Sequence, residues 1–357
     1  MRQEIRFCRA PDGVRLARAV SGKGTPLVMA GHWLTHIERD LTSPVWHHWL
    51  DFLGEDHTVV RYDERGSGLS DREDPSLSLD DWVSDLETVV EAAGVDRFTL
   101  LGLSQGGPIA IAYAARHPER VSSLVLYGTY ARGRLSRTSG PQATAEAQAL
   151  IELTRAGWGR SNPAFRRLFT TLFIPGATET QIAWLDDLQR VSSSGEHAAR
   201  SRAVRYTIDV SALASTLTVP TLVMHARDDA LVPFEEGRHL VSLIPGARFV
   251  SLNSANHILL EDEPAWQEFR SELRAFLPAY VSPPEGGMVT LTSRERQILA
   301  LVAEGRDNES IAGAFHLSVR TIERHLSNSY SKLGLTGKAA RAAAAARFAT
   351  QSKVAER

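Results

Sequence analysis

The stretch TLLGLSQGGPIAIAYAARHP, residues 99–118, has a serine between glycines where an apolar run gives way to a different periodicity. The pattern predicts a buried strand over 97–103 and a helix over 107–116, with Pro108 in the first turn, where its missing N–H is harmless. Gly102, Ser104 and Gly106 form G-x-S-x-G. This pattern is typical of a sharp strand-to-helix turn that displays a strained serine, so Ser104 is a candidate nucleophile.

A nucleophilic serine needs a base and an orienting acid, and after such a turn the chain order is serine, acid, histidine. The segment HARDDALVP (225–233) follows a predicted strand and offers Asp228 and Asp229. The next strand is followed by SANHILLEDEP (254–264), which offers His257. We favour Asp229 because it opens a D-x-x-V-P turn, and Asp228 is the alternative. The sequence therefore predicts a triad of Ser104, Asp229 and His257.

An oxyanion in this site would need two N–H donors. One is the backbone N–H of Gln105, at the start of the predicted helix, where the helix dipole helps. The second is predicted to be the N–H of His32, in the loop after LVMAGH (27–32), beside Trp33.

Strands and helices alternate through most of the first 280 residues. SLDDWVSDLETVVEAAG (78–94), for example, predicts a helix that Ser78 caps and Gly94 ends. Alternation of this kind favours an α/β fold with a mostly parallel sheet covered on both faces. Residues 131–211 show only helical stretches, which predicts a cap inserted into that fold. Aromatic residues there and after the first loop could line a ligand pocket or form plain core: Trp33, Trp158, Phe165, Phe169, Phe173 and Trp184.

Residues 1–280 resemble the α/β-hydrolase superfamily. The resemblance rests on GLSQGG, ARDDALVP, NHILLEDEP and RYDERGSGLSD (61–71), the last being similar to the family's D-x-R-G-x-G-x-S turn. The family often has His-Gly at the oxyanion loop, where this chain has Ala30-Gly31 followed by His32. This departure lies in the loop that is predicted to supply the second oxyanion donor, the N–H of His32.

The C-terminal segment 290–357 predicts four helices, the third capped by Ser318. Val319, Ile322, Leu326 and Leu333 recur at helical spacing and are predicted to face inward. An exposed face of Arg320, Thr321, Glu323, Arg324 and Ser327 would then complete a helix-turn-helix. The pattern alone leaves a small helical oligomerisation module as the alternative.

The stretch LTSRERQILALVAEGRDNESIAGAFHLSVRTIERHLSNSYSKLGL (291–335) resembles the DNA-binding domain of LuxR-type regulators over its full length. The resemblance implies contacts to double-stranded DNA by the exposed residues just named and by Lys332. An inverted-repeat operator, a homodimer and RNA polymerase are the expected partners. Glu323 stands where many members have lysine, and a carboxylate there can accept from a cytosine amino group.

Charge and composition fit two domains. Residues 289–357 hold 11 Lys/Arg and 6 Asp/Glu, whereas residues 1–288 hold 29 and 36, so only the tail favours a polyanion. Pro and Gly between the two predict a linker at 281–289. Cys8 is the single cysteine, no apolar run is long enough to span a bilayer, and the first residues lack a signal-peptide core. We expect a cytoplasmic protein that does not enter membranes.

Four histidines, His32, His36, His47 and His48, lie close together in the sequence, but their spacing matches no zinc pattern. There is no Gly-rich phosphate loop with the required lysine. We therefore expect neither a metal site nor a cofactor.

Two functions remain open. The first is a transcription regulator whose body binds, and slowly hydrolyses, a small ester-, lactone- or aromatic-type ligand. The second is an active serine esterase with an accessory DNA-binding tail. A scaffold with neither activity would leave both residue constellations as coincidences.

Overall fold

The computed structural model describes residues 2–33, 35–73, 76–138, 140–158, 160–277, 291, 293–315, 317–333, 335 and 339–355. The chain forms two compact units, Met1–Tyr280 and Val281–Arg357, which we call the body and the tail domain. The predicted linker 281–289 lies outside the described residues. Among the described residues, no helix combines the length and the apolar composition needed to cross a bilayer.

The body is built on an eight-stranded sheet with the order β1-β2-β4-β3-β5-β6-β7-β8. The first two strand pairs, β1·β2 and β2·β4, are antiparallel, and all the others are parallel. This confirms the predicted α/β class. The strands are β1 (Gln3–Arg9), β2 (Arg15–Gly22), β3 (Thr25–Met29), β4 (His57–Tyr62), β5 (Phe98–Leu103), β6 (Val121–Tyr127), β7 (Thr221–Ala226) and β8 (Arg248–Leu252).

The central strands β5 and β7 are buried along their whole length because helices cover both faces of the sheet. A parallel sheet also brings the carboxyl ends of its strands to one edge, where ligand sites of such folds lie. The turns after β3, β5, β7 and β8 carry His32, Ser104, Asp229 and His257. The topology thus gathers all four segments that the sequence singled out.

The helices of the body lie between these strands, and the predicted capping of the helix after Ser78 is confirmed. Ser78 Oγ accepts from the N–H of Asp81 at 3.1 Å, and Gly94 ends the helix with a φ of 69°. The helices outside the cap are α1 (Ile37–Asp40), α2 (His47–Asp56), α3 (Leu79–Ala93), α4 (Gly106–Arg116), and, after the cap, α10 (Ser211–Ala214), α11 (Phe234–Leu243) and α12 (Pro264–Phe276).

A helical cap is inserted between β6 and β7. An isolated antiparallel bridge between Arg132 and Asp209 closes its neck, with hydrogen bonds from Gly133 N–H to Ile208 O and from Val210 N–H to Ala131 O. The cap helices are α5 (Arg134–Arg137), α6 (Pro141–Gly157), α7 (Ala164–Phe173), α8 (Glu179–Ser192) and α9 (Gly195–Thr207).

The tail domain is all-α, as predicted. Its helices are α13 (Ser293–Ala303), α14 (Asn308–Phe315), α15 (Val319–Lys332) and α16 (Ala340–Ala355). A small core of Ile298, Leu299, Ile311, Ile322 and Leu326 holds them together. Ser318 caps α15, since its Oγ accepts from the N–H of Thr321 at 3.1 Å.

Candidate functional site

Ser104 lies in the turn between β5 and α4 with a φ of 51°, the single positive φ of a described non-glycine residue. The residues on either side of this turn must be glycine, because a side chain there would come too close to neighbouring atoms. A Cβ on Gly102 would lie 2.8 Å from the Cβ of Ala110, and one on Gly106 would lie 2.9 Å from the Gly31 carbonyl oxygen. The two glycines of the G-x-S-x-G pattern therefore leave room for the strained turn at Ser104. Backbone strain of this kind is characteristic of functional residues.

Asp229 and His257 form a buried hydrogen-bonded pair, with 2.6 Å between Asp229 Oδ2 and His257 Nδ1. The N–H groups of Leu231 and Val232 donate to Asp229 Oδ1 at 2.8 and 2.9 Å. Burial by itself raises the pKa of Asp229, but His257 and these donors outweigh it and hold the pKa below its usual value. An ionised Asp229 fixes the proton of His257 on Nδ1 and leaves the lone pair on Nε2.

The alternative acid, Asp228, is exposed, and its N–H donates to the Ser254 carbonyl oxygen. The structure thus brings Asp229 to the histidine and leaves Asp228 outside. The turn after β7 distinguishes the two neighbouring aspartates. In this turn Asp229 Oδ1 accepts hydrogen bonds from the backbone N–H groups two and three residues later.

The segment that carries His257 is held from two sides. The carbonyl of Phe173, the last residue of α7, accepts from the N–H of His257 at 2.8 Å and from that of Ile258 at 3.2 Å. On the other side, the carboxylate of Glu263 accepts from the N–H of Leu260 and from Ser254 Oγ at 2.6 and 2.5 Å. The cap therefore takes part in positioning the base.

Ser104 and His257 line the same cavity. Ser104 Oγ and His257 Nε2 are buried, and neither has a hydrogen-bond partner among the described residues. Both atoms are consequently available to a ligand in this cavity. Its lining consists of His32, Trp33, Trp46, Leu103, Ser104, Phe173, Leu185, His257 and Ile258.

The six predicted pocket aromatics take different places. Trp33 and Phe173 line the cavity of Ser104, and Trp158 lines a neighbouring polar cavity that Trp33 shares. Phe165, Phe169 and Trp184 line neither; they pack within the cap or against the body core. Helical spacing identified the apolar faces of α7 and α8, but which residue on a face reaches the cavity depends on how the helix is seated. For this reason Leu185 lines the cavity and its neighbour Trp184 does not.

The two predicted oxyanion donors are the backbone N–H groups of Gln105 and His32. No hydrogen bond within the described part of the chain uses the N–H of Gln105 or of His32. The His32 ring lines the cavity, with Nδ1 3.0 Å from the Trp33 carbonyl oxygen. Burial, reinforced by the charges of Arg61 and Arg205, lowers the pKa of His32 to about 4. The ring is therefore neutral at pH 7.

Arg205 on α9 is a site residue that the sequence analysis missed. It is 1% exposed, pairs with both carboxylate oxygens of Glu64 at 2.6 and 2.7 Å, and lies 4.0 Å from the ring centre of Trp82. Its Nη1 also donates to the carbonyl of Gln105 at 2.9 Å. Arg205 thereby ties the cap to the peptide that follows Ser104. No local pattern could reveal it, because its partners lie 141 and 100 positions away in the chain.

On the tail domain, Arg320, Glu323 and Ser327 form an exposed polar face of α15, whereas Thr321 is half-buried and its hydroxyl bonds with that of Ser318. The side chains of Arg324 and Lys332 lie outside the described residues. This face is the predicted DNA-contact surface.

The inward placement predicted for Val319 is wrong, since its side chain is 37% exposed. Ile322 and Leu326, on the same stripe, are buried, and Leu333 is half-buried. Periodicity defines the face on which Val319 lies, but not where the supporting helices stop covering that face. Val319 joins the exposed residues at the start of α15, where an apolar side chain suits a thymine methyl group.

The alanine-rich face of α16 is partly occupied within the chain. Ala344 is fully buried and Ala340 nearly so, as part of the packing of α16 on α13. Arg341 adds hydrogen bonds to the Asn308 side chain and the Arg306 carbonyl at 2.7 and 2.5 Å. The homodimer stays a prediction.

Comparison with known protein families gives two matches. The family described as the alpha/beta hydrolase fold matches residues 34–264, and the bacterial regulatory proteins of the luxR family match residues 289–345.

The relatives that match the body are hydrolases. A pyrrolizixenacetamide deacetylase from Xenorhabdus hominickii is 29% identical, with 74% of this chain and 94% of the deacetylase covered. A 2-hydroxymuconate semialdehyde hydrolase from a Pseudomonas species is 30% identical, with 69% and 84% covered. Among solved structures, an esterase from Exiguobacterium antarcticum superposes with a TM-score of 0.65 at 27% identity, covering 76% of this chain and 98% of the esterase.

Proposed function

Because the chain belongs to the alpha/beta-hydrolase fold family and carries a LuxR-type DNA-binding domain, we propose that it is a ligand-responsive transcription regulator. In this proposal the body binds, and slowly hydrolyses, a small ester-, lactone- or aromatic-type ligand, and the ligand alters how the tail domain acts on DNA. The observation that carries it is the buried cavity that presents Ser104 and His257 in a chain that also has an exposed polar face on α15.

The lining of the cavity supports a small ligand that is largely apolar. Trp33, Trp46, Phe173, Leu185 and Ile258 make most of the wall apolar. A short acyl group, a lactone ring or a single aromatic ring suits this space better than a sugar or a nucleotide does.

The proposed chemistry uses Ser104 and His257, which line the same cavity. Ser104 Oγ attacks the carbonyl carbon of the ester while His257 Nε2 takes its proton, and Asp229 stabilises the imidazolium that results. The N–H groups of Gln105 and His32 donate to the oxyanion. His257 then gives its proton to the leaving alkoxide, which leaves an acyl group on Ser104. Water, deprotonated by His257, releases the acid and regenerates the serine.

Slow hydrolysis is needed if a ligand bound in the body is to regulate the tail domain. A ligand shifts a conformational equilibrium only through its different affinities for two states, and a ligand consumed quickly cannot maintain that shift. The Ala30-Gly31-His32 loop, which replaces the His-Gly often found in the family, favours a less effective oxyanion site. The triad would then serve as an anchor, or hold a transient acyl group.

The tail domain, as a LuxR-type domain, implies DNA binding. We further propose that it binds an inverted repeat as a dimer, with half-sites about one helical turn apart. Arg320 at the start of α15 would contact the backbone, and Glu323, one turn later, a base edge.

The second candidate is a working serine esterase whose tail only places the enzyme on DNA. It is favoured by the relatives, whose names are those of hydrolases.

One experiment separates the two. Turnover of p-nitrophenyl esters is measured for the wild type and for Ser104→Ala, together with a gel shift on the DNA upstream of the gene with and without ligands found by thermal shift. We expect kcat well below about 10 s⁻¹, the median for enzymes, and a Ser104→Ala variant that binds DNA normally without ligand but responds differently to it. A kcat near that median, with a ligand response unchanged by Ser104→Ala, would identify the body as an enzyme first.

A further inference from the structure

Three potential metal ligands from distant parts of the body meet outside the cavity of Ser104. His47 and His48 lie at the start of α2, and Glu261 lies in the segment between β8 and α12. Each of the three residues offers one ligand atom, and these three atoms all lie within 4.8 Å of one another. The distance from His47 Nε2 to Glu261 Oε2 is 3.4 Å.

Backbone carbonyls decide which nitrogen of each ring carries the proton. His47 Nδ1 lies 2.6 Å from the carbonyl oxygen of Ser43, and His48 Nε2 lies 3.0 Å from that of Leu259. A carbonyl oxygen can only accept, so these two nitrogens are the donors. In the neutral rings, His47 Nε2 and His48 Nδ1 therefore carry the lone pairs, and His47 Nε2 is the nitrogen that lies next to Glu261 Oε2.

The His48 nitrogen is also unsatisfied. His48 is 4% exposed, and its Nδ1 is buried without a hydrogen-bond partner among the described residues. A buried acceptor without a donor is costly.

From this convergence we propose that His47, His48 and Glu261 bind a divalent transition metal ion, with Zn²⁺ as the best match. Two imidazole nitrogens and one carboxylate oxygen suit zinc, whereas calcium and magnesium prefer oxygen ligands alone. Ligands at about 2.0–2.1 Å in a tetrahedron lie about 3.3–3.4 Å apart, which agrees with the His47–Glu261 separation. Water completes the coordination, and the Ser43 and Leu259 carbonyls orient the two rings.

The site would brace the segment that carries the catalytic base. The Leu259 carbonyl accepts from both His48 Nε2 and Trp49 Nε1, each at 3.0 Å, two residues after His257. A metal ion would add a cross-link from α2 to the same segment through Glu261. The spacing of the four histidines does not reveal this site, because histidines alone do not form it. His32 lines the cavity of Ser104 instead, and the third ligand, Glu261, is distant in sequence.

The test uses the full-length chain after removal of metals with a chelator. Zn²⁺ is titrated by calorimetry, Co²⁺ is followed by its visible absorption, and the melting temperature is measured with and without Zn²⁺. We expect about one Zn²⁺ per chain, a tetrahedral Co²⁺ spectrum and a higher melting temperature. His47→Gln and Glu261→Gln should each weaken Zn²⁺ binding by about tenfold or more. Because the His47 and Glu261 side chains are 37% and 55% exposed, both variants should fold.

The matched control is His117→Gln. His117 Nε2 lies 2.8 Å from Glu87 Oε1, which makes a half-buried histidine–glutamate pair without a second histidine beside it. Zn²⁺ affinity should not change in this variant. Absence of stoichiometric binding would overturn the proposal, and so would a Zn²⁺ affinity that neither His47→Gln nor Glu261→Gln alters, since the ion would then sit elsewhere, for example on His257.

Discussion

Ser104 and His257 in the body are 3% and 0% exposed, whereas Arg320, Glu323 and Ser327 on α15 of the tail domain are exposed. Charges and hydrogen bonds in a buried site act through a low effective dielectric, while those on an exposed helix are weakened by water and salt. The same kind of substitution should therefore have a large effect in the body and a small one in the tail domain. Substitutions in the body and on α15 test this contrast, and the expected effects decrease from the first to the second.

The largest effect should come from Asp229→Asn. An amide in place of the carboxylate cannot stabilise the imidazolium of His257 and favours the wrong tautomer, so ester turnover should fall by about 10⁴-fold. The measurement is p-nitrophenyl acetate hydrolysis at pH 7 against Ser104→Ala as the blank. The exposed neighbour supplies the control: Asp228→Asn should keep wild-type turnover. Equal losses in both variants would show that the acid has been assigned to the wrong residue.

Arg205→Met should destabilise the body by about 3–5 kcal/mol, because it leaves Glu64 buried and without its partner. Urea unfolding monitored by tryptophan fluorescence measures this. The double variant Arg205→Met/Glu64→Gln should recover part of the loss, as expected when a buried charge rather than lost packing is the cause. If the single and double variants unfold at the same urea concentration, the ion pair is not what stabilises the attachment of the cap.

His197 on α9 predicts a pH dependence of stability. Burial, helped by the charge of Arg205, lowers its pKa from 6.5 to about 4. The unfolded chain therefore takes up a proton below pH 6.5 that the folded chain refuses until about pH 4, so the free energy of unfolding falls as the pH falls through this window. At pH 5 the loss from this histidine is about 2 kcal/mol.

His197→Gln should remove this contribution, so that its free energy of unfolding falls less between pH 7 and pH 5 than that of the wild type. The comparison is made by urea unfolding at both pH values with a chelator present. The solvent-facing substitution Glu235→Gln serves as the control and should retain the wild-type pH dependence. An identical pH dependence in His197→Gln would mean that His197 titrates normally in the folded protein.

The smallest effects should come from α15. Glu323→Gln should change the preferred base at one operator position by about 1 kcal/mol, the low end for a base contact, because a single acceptor bond to cytosine is involved. Arg320→Ala should instead weaken binding to all sequences and lower the slope of log K against log salt by about 0.9. Selection on random DNA and binding at several salt concentrations distinguish the two. An unchanged selected motif for Glu323→Gln would remove its base-reading role.

Much of the architecture was predictable because its signals are local. The apolar run before Ser104, the cap at Ser78, the Gly94 terminus and the Ser318 cap each involve residues within a few positions of one another, and the structure has the helices and strands they predict. Reliance on local signals also explains the wrong prediction for Val319. Hydrophobic periodicity describes one helix and carries no information about which part of it other helices cover.

The α/β class, the helical cap, the all-α tail and the segments that bear Ser104, Asp229 and His257 were predictable from residues that are close together in the chain. Long-range packing places Leu185 rather than Trp184 in the cavity wall, brings Arg205 of the cap to Gln105, and brings Glu261 to His47 and His48. Strand and helix formation depends on neighbours along the chain, which a pattern records. A cavity wall, a buried ion pair or a metal site depends on which distant elements pack together, and that packing is decided by the whole core at once.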